Sequence, residues 1–280
     1  TIGALSVGSM DLFAKLYQPM MMDNIHVEAP DCFRCPYGKD RDHCRCECFA
    51  KAEEAFVRHG KETAAMIVEP LLQGSAGMRV YPALYLQKLR ALCDAYEVKL
   101  IADEIATGFG RTGTLFACGQ AGITPDVMCL SKGLTGGYMP MSLTVTNQEI
   151  YDAFYDDYGK HKAFLHSHTY AGNPLGCAAA HGVLDVLEQD SILPRARKIA
   201  QWLGEIRHIG LIHALELVAD KKTKAPFPAE KRLGYQFYRK ALERGLVLRP
   251  LGDVLYFNPP LTITRGELTQ AMDILEQVLA

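Results

Sequence analysis

A carboxylate and an amine stand in matching positions in two neighbouring parts of this sequence. Asp103 directly follows the apolar run 99–102, and Lys132 follows the run 127–130 after one serine. Glycines come after both residues. Short uninterrupted apolar runs are typical of buried parallel strands, and ligands bind at the carboxyl ends of such strands in open α/β sheets. The sequence therefore predicts that this carboxylate and this amine meet in one crevice.

This pair of groups fits the chemistry of pyridoxal phosphate. The aldehyde of that cofactor forms a Schiff base with a lysine amine, and its pyridine nitrogen keeps a proton when a carboxylate lies beside it. We predict that Lys132 is the cofactor lysine and that Asp103 is the carboxylate. The alternative is that Asp103 caps a helix and Lys132 is a surface lysine before a turn. The shared position at strand ends favours the cofactor.

The segments around both residues resemble the class III aminotransferases, which are fold type I pyridoxal phosphate enzymes. The resemblance is carried by Ile-Ala-Asp-Glu-Ile-Ala-Thr-Gly-Phe-Gly-Arg-Thr-Gly at 101–113 and by Ser-Lys-Gly-Leu-Thr-Gly-Gly at 131–137. Within the class, the chain most resembles the branch that aminates 8-amino-7-oxononanoate in biotin biosynthesis, with S-adenosylmethionine or lysine as the amino donor. The resemblance implies an α/β fold with a mostly parallel sheet, and a homodimer whose subunits share each active site.

Three other interpretations remain open. The chain could act on another ω-amino substrate, because Asp103 and Lys132 are shared across the class. It could be a non-catalytic protein that binds a metal through the cysteines of segment 32–48. It could also be a folded fragment that lacks part of the catalytic apparatus.

Further candidate residues follow the same strand-end logic. Glu69 and Gln73 come at the end of the predicted strand 64–69, so we expect both near the cofactor. In class III enzymes the glutamate that matches Glu69 lies at the substrate face; the alternative is a solvated carboxylate. The resemblance implies that Ile105 packs under the pyridine ring, which is compatible with ordinary core packing.

The remaining candidates bind anions. Thr169 precedes the predicted helix 175–187, whose first N–H groups can hold an anion. The resemblance implies that Thr169 binds the cofactor phosphate of the neighbouring subunit, whereas the alternative is that Thr169 caps a helix or a turn.

Arg249 ends an apolar run, and a guanidinium there can bind a carboxylate through two parallel hydrogen bonds. The resemblance implies that Arg249 binds the acceptor and that Tyr256 lies near the donor; otherwise Arg249 closes a domain interface. Arg111 is either an anion-binding or a structural arginine.

Five cysteines lie close together early in the chain. Cys-x-x-Cys followed by Cys-x-Cys-x-Cys falls within the spacing range of zinc and iron–sulfur sites. The second half is tighter than the usual Cys-x-x-Cys knuckle, and the family resemblance implies no metal. We therefore expect a surface loop with reactive or incidental thiols, and we expect no metal site. The five residues are Cys32, Cys35, Cys44, Cys46 and Cys48.

Composition limits the partners of the protein. Hydrophobic residues make up 49% and charged residues 22% of the 280 residues, as expected for a soluble globular protein. The formal net charge of −2 gives no electrostatic basis for binding nucleic acid or membranes, so we expect small-molecule substrates. Nine cysteines in a chain of this size favour reduced thiols and a cytoplasmic location over a disulfide framework.

The pattern of elements predicts a large cofactor-binding domain over 1–188 and a small α+β domain over 189–280. Further strands are predicted at 142–146, on either side of Gly210 within 206–218, and at both ends of 246–260. The predicted helices are 10–17, 49–62, 82–96, 175–187, 192–203, 230–244 and 264–279.

The chain starts abruptly. Thr1 opens an apolar stretch without a methionine. The resemblance implies a preceding N-terminal third with a glycine–serine phosphate loop and an aromatic that stacks on the cofactor, and neither is visible. We therefore expect the N-terminal part of the large domain to be absent, and a second shortfall near Leu203 and Gly204.

Overall fold

A four-stranded sheet forms the centre of the computed structural model, which describes residues 1–8, 11–189, 191–200 and 207–279. This sheet has the order β1-β4-β5-β6; the first three strands are parallel and β6 is antiparallel. The prediction of a mostly parallel sheet is therefore confirmed. The strands along the described chain are β1 (Ala65–Val68), β2 (Leu72–Gln73), β3 (Arg79–Val80), β4 (Lys99–Asp103), β5 (Val127–Leu130), β6 (Leu143–Thr146), β7 (His208–Ile209), β8 (Ile212–Glu216), β9 (Val218–Asp220), β10 (Ala225–Pro226) and β11 (Val254–Phe257).

Helices cover this sheet and complete its core. In β4 the side chains of Leu100 and Ala102 are fully buried, as the apolar sequence of a central strand requires. The α-helices are α1 (Ile2–Val7), α2 (Asp11–Ala14), α3 (Ala50–His59), α4 (Ala83–Ala95), α5 (Cys118–Ala121), α6 (Gln148–Phe154), α7 (Pro174–Gln189), α8 (Ile192–Ala200), α9 (Leu233–Glu243) and α10 (Arg265–Leu279).

Aromatic side chains join α3 to α4 beside the sheet. The rings of Phe49 and Tyr85 meet edge to face with their centroids 5.2 Å apart, and those of Phe56 and Tyr96 at 5.5 Å. Each such pair contributes about 0.5–1.5 kcal/mol beyond the burial of its surface. The two helices are thereby fixed against the strands that carry the candidate site.

A second, antiparallel sheet with the order β11-β8-β7 lies in the C-terminal part. Its β7–β8 turn presses against the segment that follows β4: Gly210 has φ +54, and a Cβ there would lie 2.3 Å from the backbone carbon of Thr112. Only glycine fits this close approach. Beside it, the backbone N–H of Leu211 donates to the carbonyl of Arg111 at 3.0 Å. The turn therefore ties the C-terminal sheet to the glycine-rich segment.

The cysteine-bearing segment 31–48 is attached to the same C-terminal part, and we call it the cysteine loop. Arg34 forms an ion pair with Glu216, which also pairs with Arg207 at 3.0 Å. The guanidinium of Arg207 and the ammonium of Lys224 each lie 4.7 Å from the centroid of the Phe33 ring. Phe33 is thus held in a cationic cage formed partly by the C-terminal part of the chain.

Some predicted elements differ from the structure. Residues 246–250 form no strand: Pro250 lacks an N–H, and Leu248 instead packs into a cluster with Ala241 and Val278. The α-helix predicted over 230–244 begins only at Leu233, and the short hairpin of β2 and β3 was not predicted.

The described residues leave some predictions open. Residues 9–10 and 201–206 are not among the described residues. Four predictions therefore lie partly or wholly outside the described residues: the helices 10–17 and 192–203, the start of the strand region at 206, and the shortfall near 203–204. The division between 1–188 and 189–280 remains a prediction. No described helix is both long and apolar enough to cross a membrane.

Candidate active site

Asp103 and Lys132 lie at the same end of the central sheet. Asp103 is the last residue of β4 and stands opposite Cys129 of β5. The backbone N–H of Glu104 donates to the carbonyl of Cys129 at 3.0 Å, which fixes this pairing. Lys132 lies three residues after Cys129, where it begins a 3₁₀ turn and has a φ of +46. This left-handed conformation is unfavourable for a lysine, and it turns the chain sharply after the end of β5.

Glu69 completes a group of three charged residues. It directly follows β1, where Val68 stands opposite Ala102 of β4. Its carboxylate accepts a hydrogen bond from the N–H of Gly74 at 3.0 Å. Burial raises the pKa of Glu69, the Asp103 carboxylate raises it further, and the ammonium of Lys132 opposes the rise. The three side chains therefore interact electrostatically at the carboxyl ends of the sheet.

An open cleft of about 1920 Å³ lies over this sheet end. It contains all but one of the residues that the sequence predicted for the site. Thr169 is the exception: it lies in the exposed segment 161–172 and does not line the cleft of its own chain. The predicted residues that do line the cleft are Glu69, Gln73, Asp103, Ile105, Lys132, Arg249 and Tyr256.

A buried carboxylate holds the segment after Asp103 in place. Glu104 is 0% exposed and accepts hydrogen bonds from the backbone N–H groups of Ala117 at 3.0 Å and Cys118 at 2.8 Å, and from the hydroxyl of Thr107. The Asp103 carboxylate accepts from the N–H of Ile105 at 3.0 Å. Such hydrogen bonds restrict the orientation of a charged side chain in a site.

Arg111 is a cleft residue whose role the sequence left open. Its guanidinium donates to the carbonyl of Pro259, and burial lowers its pKa to about 10. Among the described residues, no carboxylate forms an ion pair with it. A half-buried cation of this kind, facing a cleft, is suited to binding an anion. The position of Arg111 in a Gly-Arg-Thr-Gly turn was visible in the sequence, but its distant partner was not.

The family of the chain follows from its comparison with known proteins. The family model described as aminotransferase class-III matches residues 1–279. The chain belongs to the class III aminotransferases. The adenosylmethionine-8-amino-7-oxononanoate aminotransferase of Geobacter sulfurreducens is 45% identical to this class III chain over 291 aligned residues, which cover 99% of the chain and 64% of that relative.

Solved structures agree with this family. The crystal structure of the adenosylmethionine-8-amino-7-oxononanoate aminotransferase of Methanocaldococcus jannaschii superposes with a TM-score of 0.89 at 35% identity, covering 100% of the chain and 65% of that structure. An amine transaminase from an uncultivated Pseudomonas species, solved with pyridoxal phosphate bound, gives a TM-score of 0.92 at 34% identity, covering 99% and 66%. The class III chain thus has the fold type I architecture and spans about two thirds of these proteins.

Family membership implies pyridoxal phosphate as the cofactor, and the side chains in the cleft fit this group chemically. Lys132 provides a primary amine, Asp103 provides a half-buried carboxylate, and Ile105 provides an aliphatic side chain. The specific role of each residue remains a prediction.

Proposed function

We propose that this chain is the greater part of an aminotransferase that converts 8-amino-7-oxononanoate to 7,8-diaminononanoate in biotin biosynthesis. The observation that carries the proposal is the meeting of Lys132 and Asp103 at the ends of β5 and β4, in one cleft. The name of the Geobacter relative, at 45% identity, supports the substrate.

The proposed roles follow from the chemistry of the side chains. When bound, pyridoxal phosphate supplies an electron-withdrawing ring that stabilises negative charge at the substrate Cα. The Nζ of Lys132 would attach the cofactor, and then, once displaced by the donor amine, would take the proton from the substrate Cα. The carboxylate of Asp103 would keep the pyridine nitrogen protonated. Ile105 would pack under the ring, and the buried Gln73 would contact the cofactor from β2.

Substrate recognition requires cations at the cleft wall. Arg249 is exposed, lines the cleft, and would bind the carboxylate of the oxo acid through paired hydrogen bonds. Glu69 and Tyr256 would contact the substrate beside it, and Arg111 adds a second cation. Either S-adenosylmethionine or lysine would supply the amino group; the names of the relatives favour S-adenosylmethionine.

A second candidate function is amino transfer to another ω-amino substrate. It is favoured by the likeness to an amine transaminase, whose TM-score of 0.92 exceeds the 0.89 of the oxononanoate enzyme. Growth rescue of a bacterial strain that lacks diaminononanoate synthase separates the two. Rescue supports the biotin substrate, whereas failure together with a working half-reaction on simple amines favours the alternative. A chain without either activity is the incomplete fragment that the sequence also allowed.

We also propose that the protein acts as a cytoplasmic homodimer. All nine cysteines are free thiols, which supports a reducing compartment. Thr169 lies away from its own cleft, which is compatible with binding the cofactor phosphate of the neighbouring subunit. Large apolar side chains are exposed in the same region, and a subunit contact would cover them. These side chains are Tyr138, Tyr155, Tyr158, Phe164, Leu165 and Tyr170.

The visible absorption spectrum of the purified chain with pyridoxal phosphate tests the proposal. We expect a band that borohydride removes, which Lys132→Ala lacks. Lys198→Ala is the matched control, because Lys198 is an exposed lysine on α8 outside the cleft; we expect it to keep the band. If both variants give the same spectrum, or no protein gives a band, the assignment of Lys132 in this chain is wrong.

A further inference from the structure

The thiols of the cysteine loop surround one small cavity away from the cleft. Its volume of about 20 Å³ is sufficient for a single atom of the size of a water oxygen. Tyr85 of α4 and Pro82 close it on the side of the sheet. The thiols that line it are those of Cys32, Cys35, Cys44, Cys46 and Cys48, four of them half-buried and Cys46 buried. Five cysteines of one loop therefore share a single cavity.

Four of these thiols interact with one another as a set. Burial raises the pKa of Cys32 to about 12, and its neighbours Cys44, Cys48 and Cys35 raise it as well. The pKa of Cys48 is raised by burial and then by Cys44 and Cys35. Cys46 differs from the other four in its burial: it is 2% exposed and belongs to the core cluster that contains Phe49 and Tyr85.

We propose that the cysteine loop binds one Zn²⁺ ion through four thiolates, those of Cys32, Cys35, Cys44 and Cys48. Without Cys46, the motif consists of a Cys-x₂-Cys pair and a Cys-x₃-Cys pair, separated by eight residues. These spacings lie in the range of tetrahedral structural zinc sites, which have four protein ligands and no open position. Binding releases the four thiol protons to solvent.

The backbone already holds both halves of the motif in turns. The carboxylate of Asp31 accepts from the N–H groups of Phe33 at 3.0 Å and Arg34 at 2.9 Å. The N–H of Gly38, which has φ +62, donates to the carbonyl of Cys35 at 3.0 Å. In the second half, Cys46 has the left-handed φ of +58 and turns the chain between the two proposed ligands. The loop therefore needs no refolding to present its thiols.

Side-chain rotation completes the site. Among the described residues, no three His, Cys, Asp or Glu side chains form a ready metal site as they stand. Each sulfur moves by rotation about the single torsion χ1, which has three staggered positions. The thiols line a common cavity, so rotation toward it can bring them together. Arg41 and Lys88, which act to lower the pKa values of Cys32 and Cys46, supply positive charge beside the negative centre.

Zinc and cobalt binding by the full chain tests this proposal. Protein from a zinc-supplemented culture is assayed for metal, and cobalt is then substituted to detect the sulfur-to-cobalt charge-transfer band. We expect stoichiometric zinc in the unmodified chain and at least about tenfold less in Cys32→Ser and Cys48→Ser. Cys46→Ser, within the same loop, and Cys177→Ser, on α7 outside it, are the matched controls and keep the metal.

A second measurement needs no variant. The thiols of the unmodified chain are alkylated with and without zinc, and the modified loop peptide is weighed by mass spectrometry. We expect zinc to protect four cysteines of the loop and to leave Cys46 unaffected. Equal metal loss in Cys46→Ser and Cys32→Ser, absence of zinc from the supplemented protein, or iron with sulfide in its place would each overturn the assignment.

Discussion

Glu104 and Cys118 are joined by a buried hydrogen bond, in which the carboxylate accepts from the backbone N–H at 2.8 Å. This bond closes the segment between β4 and α5. The segment carries Ile105 and Arg111, which both line the cleft. The carboxylate next to Asp103 in sequence is therefore a structural support for the site, whereas Asp103 faces the cleft itself.

Replacing Glu104 with alanine should destabilise the protein strongly. The change leaves the hydroxyl of Thr107 and the N–H groups of Ala117 and Cys118 without their acceptor. Each buried unpaired donor costs about 1–3 kcal/mol, so we expect the free energy of unfolding to fall by about 3 kcal/mol or more. Denaturant unfolding measures it, with Glu53→Ala, an exposed change on α3, as control. Similar values for both variants would contradict the prediction.

Replacing Arg249 with methionine should affect only the acceptor half of the reaction. A charge-assisted hydrogen bond contributes about 1.5–3 kcal/mol, so kcat/KM for the oxo acid should fall by about 10- to 150-fold. The half-reaction with the amino donor should be unchanged. Arg244→Met, at the exposed end of α9, is the control. An equal loss in both half-reactions would indicate that Arg249 supports the cleft rather than the carboxylate.

Mixing two inactive variants tests whether subunits share a site. Lys132→Ala removes the attachment amine, and Thr169→Val removes the hydroxyl proposed to bind the phosphate in the neighbouring subunit. If each site combines Lys132 of one subunit with Thr169 of the other, a mixed dimer has one site with both changes and one site with neither. Cofactor binding should therefore partly return after the two variants are refolded together. Absorbance of the bound cofactor, measured on the separated mixed dimer, gives the result. Binding that stays at the level of the separate variants would mean that Thr169 serves its own chain.

The stability of the C-terminal sheet should depend on pH through His213. Burial, assisted by the neighbouring His208, lowers the pKa of His213 to about 4, from 6.5 in the unfolded chain. The rings of His208 and His213 are stacked with centroids 5.1 Å apart. The folded state keeps the imidazole of His213 neutral. Its contribution to the free energy of unfolding is therefore complete above pH 6.5 and is lost as the pH falls toward about 4. It amounts to roughly 3 kcal/mol at most.

Unfolding free energies between pH 4 and 7 measure this contribution. The His213→Phe variant should lose less stability over this range than the unmodified chain. His181→Phe, an exposed change on α7, should behave like the unmodified chain. If all three proteins respond alike to pH, His213 is not responsible for the dependence.

The sequence predicted the parts of the site that depend on local patterns. Asp103 and Lys132 each follow an apolar run, and parallel strands bring the ends of such runs together. The setting of Arg111 was not predictable, because its partner Pro259 lies 148 residues away and is reached only through the packing of the C-terminal sheet. The run 246–250 was wrongly predicted as a strand, since apolar residues also fill a helix–loop core, as Leu248 does.

The contact between Arg34 and Glu216 has a consequence for the order in which the protein is made. The two residues are separated by 182 positions. At about 5–20 residues per second, synthesis needs roughly 10–40 s to pass from the first to the second. During that time the cysteine loop emerges from the ribosome without the C-terminal strand that holds Phe33 and Arg34. A nascent chain that captured a metal early would protect these thiols from oxidation before their protein cover exists.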